Sequence, residues 1–263
     1  MKRNNKEKET ISNDISNFAC LSNVGTKRNN NEDVAYCCKS PYGYLLTIAD
    51  GMGGHRKGEI ASKIASDTVS LTFSSNRKAL NLKSSKKILT DGFKKANKEV
   101  YRLSSATQYK EMGTTLISAI VFDQGCYIVS VGDSRLYLLK DKKLKQVSID
   151  QTNIQLYKET GRIKTDEDEK SVRKLLLNAI GINANLDSYE EYYLKNEDFD
   201  SLFLCSDGIN SVLEDNDIEN ILNEDISVKD KVVKLIETSL KRNVVDNVAT
   251  VLWERKIWQI YYK

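Results

Sequence analysis

Histidine is almost absent from this 263-residue sequence, which contains a single one, His55. Zinc proteases of the HExxH type and mechanisms that need two imidazoles are therefore excluded. The five cysteines form no CxxC pair, and most lie in apolar runs. This pattern is typical of buried thiols in a reducing compartment rather than of disulfides or a zinc site. Acidic residues, by contrast, number 37. If the protein is an enzyme, carboxylates have to carry its chemistry.

Long apolar runs are also missing. The longest, residues 42–49, contains Gly43 and Thr47 and is far shorter than the roughly 20 residues of a membrane helix. We therefore expect no membrane span. The polar first 17 residues lack the apolar region of a secretory signal, so the cytoplasm is the expected compartment. The formal net charge of +3 is too small to indicate the basic surface of a nucleic-acid-binding protein. We expect the protein to be a monomer.

Proline occurs once, at Pro41, and no linker rich in Pro, Gly or Ser divides the chain. We therefore predict one domain over residues 18–253. A basic polar tail, expected to be disordered, would precede it at 1–17, and a C-terminal tail would follow at 254–263. With 40 % of its residues apolar, a chain of this length can bury a core.

The hydrophobic periodicity changes along the chain from strand to helix and back. Two β-rich runs at 34–38 and 44–48 predict a hairpin, and helical spacing predicts two helices, over residues 60–71 and 89–103. Further strands are predicted at 116–122, 126–131, 136–139, 144–147, 189–194, 202–205 and 248–253, and a helix at 228–240.

The order of these elements indicates the fold class. We interpret the consecutive β runs between residues 116 and 147 as sequential hairpin partners, which makes the sheet antiparallel. Residues 150–185 are polar and helix-prone and are interpreted as an excursion from it. The order favours an α+β layered structure over a doubly wound α/β fold.

Acidic residues stand at the ends of several predicted strands. Those that follow or precede a strand are Glu32, Asp33, Asp50, Asp133, Asp207 and Asp246. For any single Asp-Gly pair a structural turn is the ordinary explanation. Three strands that each stop at an aspartate, however, predict a carboxylate cluster that would repel itself without a multivalent cation.

All-oxygen ligands indicate Mg²⁺ or Mn²⁺ rather than zinc. Such ions typically activate water and hold a phosphoryl group. Arg28, four residues before Glu32, could supply a guanidinium fork for the outer phosphate oxygens. A solvated surface charge is the alternative for an isolated arginine.

Six motifs follow one another along the chain. They are Gly25-Thr-Lys-Arg28-Asn-Asn-Asn31-Glu32-Asp33, Asp50-Gly-Met-Gly-Gly-His55 with Gly58-Glu59, Met112-Gly-Thr-Thr115, Val131-Gly-Asp133-Ser-Arg135, Ser206-Asp207-Gly208 and Asp246-Asn247. In this order they resemble the PPM (type 2C) family of metal-dependent serine/threonine protein phosphatases, in its bacterial form. The segment from Asp150 to Gly181 is similar to the flap of that family, and the resemblance covers about residues 18–253.

The resemblance implies an αββα sandwich of two antiparallel sheets flanked by helices, with two Mn²⁺ or Mg²⁺ ions at one end. Asp50 would bridge the two ions, the carbonyl of Gly51 would bind one, and Asp207 and Asp246 would complete the shell of the other. Glu32 would act through metal-bound water. Bacterial members hold a third, weaker ion, for which Asp133 and Asp207 would be the ligands.

The resemblance also implies the reaction. Metal-bound hydroxide would attack phosphoserine or phosphothreonine directly, with Arg28 binding the phosphate and Asp33 orienting the water. The substrates would be phosphorylated proteins, and the enzyme would oppose a serine/threonine kinase. The alternative is a catalytically inactive domain of the same fold that acts as a regulatory or binding module. Such relatives usually lose an acid at position 50, 207 or 246, and all three are present.

Two positions depart from the family pattern. Animal members have a histidine two residues after the bridging aspartate, where this chain has Met52. The proton-donor role is not transferred to His55, which lies three residues further on. The usual Asp-His-Ser of the flap is Asp150-Gln151-Thr152 here.

Overall fold

Two antiparallel β-sheets lie face to face at the centre of the structure, a computed structural model that describes residues 17–53, 57–106, 112–165, 167–168, 172 and 174–255. One sheet has the order β1-β11-β10-β7-β8. Its strands are β1 (Phe18–Asn23), β7 (Arg135–Lys140), β8 (Lys143–Gln146), β10 (Ser201–Cys205) and β11 (Val248–Glu254).

The second sheet has the order β2-β3-β5-β6-β9, with the short strand β4 paired to β3. Its strands are β2 (Asp33–Ser40), β3 (Gly43–Met52), β4 (Gly113–Thr114), β5 (Leu116–Phe122), β6 (Gly125–Val131) and β9 (Glu190–Lys195). All pairings in both sheets are antiparallel.

Helices cover the outer faces of both sheets. Helices α1 (Lys57–Ser74) and α2 (Leu82–Ser104) pack on the sheet that contains β3, and α2 begins at a capping box between Asn81 and Ser84. On the other sheet lie α4 (Asp207–Asn210), α5 (Asp215–Leu222) and α6 (Val228–Lys241). Helix α3 (Asn153–Glu159) belongs to the segment between β8 and β9.

A third apolar layer fills the space between the two sheets. It includes Leu46 and Ile117 from one sheet and Leu204 and Val251 from the other, all four completely buried. Alternating side chains on the inner and outer sheet faces thus serve both the central layer and the helix layers. The predicted αββα sandwich is confirmed.

The predicted pairing of consecutive strands was wrong at one place. Strands β6 and β7 are not hairpin partners but belong to different sheets. Between them Gly132 has φ of +100°, and a Cβ atom there would lie 2.7 Å from the side chain of Thr115. Only glycine fits this turn, in which the chain passes from one sheet to the other. The prediction was wrong because hydrophobic periodicity does not specify to which sheet a strand belongs.

The ends of the folded region lie slightly outside the predicted bounds. Asn17 accepts a backbone hydrogen bond from Glu254 at 2.8 Å, and Arg255 donates one to Asp200 at 2.8 Å. These residues therefore belong to the sandwich rather than to the tails. The rest of the two predicted tails lies outside the described residues, and the disorder expected of the N-terminal tail stays a prediction.

The cysteines confirm the interpretation as free thiols. Cys20, Cys37, Cys126 and Cys205 are buried and Cys38 is half-buried, and none forms a disulfide. Within the described ranges, no helix has both the length and the apolarity needed to cross a membrane.

Candidate active site

Asp33 and Asp50 lie opposite each other on the paired strands β2 and β3. The backbone of Asp50 is fixed by Thr115, whose hydroxyl accepts from the Asp50 N–H at 3.0 Å and whose own N–H donates to the Asp50 carbonyl at 2.9 Å. Asp50 lies within β3, which continues to Met52, and not after the strand as the sequence predicted. The pairing with Thr114 and Gly113 on β4 prolongs the strand past the aspartate.

Asp33 is almost fully buried behind the cleft. Its carboxylate accepts a hydrogen bond of 2.6 Å from Ser206 Oγ, which in turn accepts one from the backbone N–H of Ala249. Burial, joined by the negative charges of Asp207 and Asp246, raises the pKa of Asp33 to about 8. The hydrogen bond from Ser206 opposes this rise but does not cancel it.

Burial likewise raises the pKa of Asp50 well above its ordinary value, and Asp33 and Asp207 add to the effect. The pKa of Asp133 is raised by burial and by the charge of Asp207. Carboxylates raise one another's pKa only when they are close together. Loops and strands from distant parts of the sequence therefore bring these acids to one place, as predicted.

Asn247 fixes the loop that carries Arg28 and Glu32. Its side-chain oxygen accepts from the Glu32 N–H at 2.9 Å, and its amide group donates to the carbonyls of Val24 and Asn30 at 2.9 Å each. The N–H of Asn247 donates to its neighbour Asp246. Asn247, immediately before β11, thereby contacts both the neighbouring Asp246 and the backbone of Glu32, an acid from the opposite part of the sequence.

Two glycines allow Glu32 to reach the cleft. A Cβ atom at Gly51 would lie 2.2 Å from the carbonyl oxygen of Gly58, and one at Gly58 would lie 2.5 Å from Glu32 Oε2. The Glu32 carbonyl accepts from the Gly51 N–H at 3.1 Å and from Ser62 Oγ at 2.6 Å. Burial is the main cause that raises the pKa of Glu32.

Arg28 lies at the rim of the site, where it donates to Asp246 Oδ2 at 2.8 Å. More than half of its side chain is exposed to solvent. A guanidinium group in this position is accessible to a ligand that enters the cleft.

The cleft itself has a volume of about 650 Å³. Five carboxylates and two cations line it, while Asp33 lies behind. The charged residues of the lining are Arg28, Glu32, Asp50, Asp133, Lys174, Asp207 and Asp246. The structure thus brings together every acid singled out from the sequence. His55, the remaining motif residue discussed above, lies outside the described residues.

Lys174 is the functional candidate that the sequence did not reveal. Its ammonium group pairs with Asp133 Oδ2 and, at 2.8 Å, with Asp207 Oδ2. It belongs to an irregular stretch of the flap without helical or strand periodicity. A single lysine among 40 basic residues carries no signal of its own.

Gln151 connects the flap to the loop before Asp133. Its side-chain oxygen accepts from the Gly132 N–H at 2.9 Å, and its backbone N–H donates to the Gly132 carbonyl at 3.0 Å. Beside it, Arg135 forms a bidentate ion pair with Asp150, with distances between 2.7 and 3.1 Å. The departure from the family pattern at position 151 therefore leaves the flap attached.

The donor atoms suit a hard divalent cation. They are carboxylate and carbonyl oxygens, which Mg²⁺ and Mn²⁺ prefer, and the buried acids require positive charge nearby. Among the described residues, no three acidic, cysteine or histidine side chains close around a common point in the manner of a bound ion. Instead, the carboxylates are partnered by Lys174, Arg28 and Ser206.

An αββα sandwich with an acidic cleft of oxygen donors at one end defines a class of metal-dependent phosphatases. The model of the family "Protein phosphatase 2C" matches residues 25–252, and the chain belongs to that family. The resemblance noted in the sequence is thereby confirmed.

Individual relatives agree with this assignment. The chain is similar to the serine/threonine phosphatase Stp of Listeria welshimeri, with 30 % identity over 217 residues, 82 % of this chain and 86 % of that protein. The structure of Stp1 from Staphylococcus aureus aligns with a TM-score of 0.83 at 26 % identity, covering 92 % of this chain and 96 % of that one. The catalytic domain of PstP in complex with two manganese ions aligns with a TM-score of 0.76 at 29 % identity, covering 90 % and 96 %.

Proposed function

We propose that this chain is a metal-dependent serine/threonine protein phosphatase that hydrolyses phosphoserine and phosphothreonine in proteins. The observation that carries the proposal is the convergence of buried carboxylates with raised pKa values in one cleft, beside an exposed arginine. The relatives' names, which are those of serine/threonine phosphatases, support the substrate class.

Two Mn²⁺ or Mg²⁺ ions would be held by Asp50, the carbonyl of Gly51, Asp207 and Asp246, with Glu32 acting through water. If a third ion binds, Asp133 and Asp207 would be its ligands. Bound ions would neutralise the carboxylates and lower the pKa of a water molecule that attacks phosphorus. The two manganese ions of the PstP structure support this assignment.

The chain's own residues have distinct tasks in this proposal. Arg28 exchanges its contact with Asp246 for the phosphate oxygens of the substrate, which its exposed position at the rim permits. Asp33, held by Ser206 at 2.6 Å, orients the attacking water from behind the cleft. A fixed hydrogen-bond acceptor of this kind lowers the cost of aligning the nucleophile.

The inactive regulatory domain is the weaker alternative. The acids at positions 50, 207 and 246 are all present, and the relatives compared above are named as phosphatases. We further propose a monomeric, cytoplasmic enzyme that opposes a serine/threonine kinase. The free thiols of the described residues support a reducing compartment.

Phosphatase assays with and without metal test the proposal. With Mn²⁺ or Mg²⁺, the protein is expected to hydrolyse p-nitrophenyl phosphate and a phosphothreonine peptide, to lose activity on chelation and to regain it when the ion is restored. Undiminished turnover after exhaustive chelation would contradict metal dependence. No turnover of any phosphopeptide with either ion would favour the inactive alternative.

A further inference from the structure

Lys174 crosses the cleft to two carboxylates that come from different sheets. Asp133 follows β6 and Asp207 follows β10, strands that belong to opposite halves of the sandwich. The lysine ammonium pairs with both, at 2.8 Å to Asp207 Oδ2. One positive charge from the flap thus joins two negative charges that burial and mutual repulsion would otherwise separate.

The ion pair between Lys174 and Asp133 differs from a surface ion pair because the carboxylate is buried. The Asp133 side chain is only 4 % exposed, while those of Asp207 and Lys174 are 31 % and 39 % exposed. A carboxylate as buried as Asp133 requires a nearby cation, since breaking such a pair leaves an uncompensated charge. Lys174 meets this requirement within the chain.

The backbone that follows Lys174 is anchored at two successive residues, while the Lys174 side chain lines the cleft. The Leu175 N–H donates to Asn153 Oδ1 at 2.8 Å, and the Asn153 N–H donates to the Leu175 carbonyl at 3.0 Å. Next to it, Leu176 forms a β-bridge with Thr152. The position of the ammonium group is therefore built into the fold of the flap.

We propose that Lys174 is an internal cation that takes the place of a third divalent ion between Asp133 and Asp207. This inference rests on the proposed assignment of the two-ion site to Asp50, Asp207 and Asp246. The chain then binds two ions with the flap docked. A third ion can enter only by displacing the lysine ammonium, so third-ion binding and the ion pairs of Lys174 with Asp133 and Asp207 exclude each other.

The test is the number of Mn²⁺ ions bound per chain, measured by electron paramagnetic resonance of the free ion during titration. Lys174→Met, which keeps the length of the side chain but removes its charge, is expected to gain a third ion. It should bind this ion about tenfold or more tightly than the wild type does. Lys174→Arg keeps the charge and should bind two ions as the wild type does. Lys143→Met, at an exposed ion pair with Glu219, is the matched control and should not change the count.

A second substitution shows where the third ion binds. Adding Asp133→Asn to Lys174→Met should remove the extra ion while the first two remain. Equal counts and affinities in the wild type and Lys174→Met would overturn the inference. An extra ion that persists without Asp133 would overturn it as well.

The same Mn²⁺ titration distinguishes a wrong role for Lys174 from a wrong assignment of the two-ion site. If the wild type binds no Mn²⁺, or if Asp50→Asn binds the ions as the wild type does, the two-ion assignment itself is wrong. If Asp50→Asn loses binding but Lys174→Met matches the wild type, only the role of Lys174 is wrong. Circular dichroism of each variant confirms that the compared proteins are folded.

Discussion

The two walls of the cleft are held in different ways. The strand wall, formed by Glu32, Asp50, Asp207 and Asp246 with Asp33 behind it, is attached to or adjoins paired strands. The flap wall, formed by Lys174, Leu175, Leu176 and Ile182, is attached through a few loop hydrogen bonds and through the ion pairs of Lys174 and of Asp150 with Arg135. A rigid scaffold suits metal ligands, which must be positioned accurately. A wall with fewer contacts opens at a lower free-energy cost and suits the side on which a protein substrate enters.

The largest effect is expected from the strand wall. Asp50→Asn keeps the size of the side chain but removes the central negative charge, so phosphatase activity should fall about a thousandfold. Asp67→Asn, at an exposed pair with Lys63 on α1, is the control and should retain full activity. Steady-state hydrolysis of a phosphothreonine peptide with Mn²⁺ measures both. Activity of Asp50→Asn within threefold of the wild type would show that this aspartate is not a central ligand.

A smaller loss is expected at the rim between the two walls. Arg28→Ala should lower kcat/KM about a hundredfold, because a bidentate contact with the phosphate is lost. Arg28→Lys should recover only a part of it, since an ammonium group cannot form the same fork. The matched control is Arg102→Ala on α2, where the exposed arginine pairs with Glu99. If Arg28→Ala leaves kcat/KM unchanged, the arginine is the solvated surface charge considered as the alternative.

A substitution in the flap should lower activity less than one in the strand wall, but it should increase the mobility of the flap. Gln151→Ala removes the side-chain acceptor for the Gly132 N–H, so residues 150–180 should exchange amide hydrogens faster and kcat/KM should fall about tenfold. Gln155→Ala, which removes an exposed side-chain contact with Glu159, is expected to leave both the exchange rates and kcat/KM unchanged. Unaltered hydrogen exchange in Gln151→Ala would indicate that the backbone contacts alone hold the flap.

The remaining prediction concerns the pH dependence of stability in the metal-free protein rather than activity. The pKa of Asp33 is about 8 in the folded state against 3.8 ordinarily, so the folded protein binds this proton more tightly than the unfolded one. Its contribution is fully present below the ordinary value and is lost as the pH rises through about 8, by at most about 1.4 kcal/mol per pH unit. Asp33→Asn should flatten this decline.

Thermal unfolding with a chelator present, between pH 5 and pH 9, measures the decline. Asp91→Asn, at an exposed pair with Lys87, should follow the wild type. A decline as steep in Asp33→Asn as in the wild type would assign the pH dependence to other groups. Saturating Mn²⁺ should reduce the decline, because a bound cation favours the ionised carboxylates.

Sequence reasoning predicted the strand wall well because its acids are tied to regular elements. The strands at 44–48 and 202–205 are apolar runs with clear limits, and Asp50 and Asp207 stand at recognisable positions relative to them. The order of the six motifs along the chain then indicated the protein family. The pairing partners of β7 were not predictable, since local periodicity contains no information about the sheet to which a strand is added.

The flap wall could not be predicted in the same way. Lys174 and the contacts of Gln151 depend on the irregular path of residues 150–182, which follows from tertiary hydrogen bonds rather than from periodicity. Ser206 and Asn247 were visible as members of motifs. Their tasks, holding Asp33 and the 24–32 loop, became clear only from the partners across the sheet. Helices α4 and α5 were too short for a helical repeat to be recognised.

The contacts of Asn247 have a consequence for the order in which the molecule is assembled. Strand β11 lies between β1 and β10, and Asn247 contacts residues up to 223 positions earlier in the chain. Contacts this distant in sequence form late, because the closure of so long a loop costs entropy before any pairing compensates for it. On the ribosome, the chain therefore has no complete cleft until Asn247 and β11 have been synthesised. Phosphatase activity should then appear in a single late step, without a partially active nascent form.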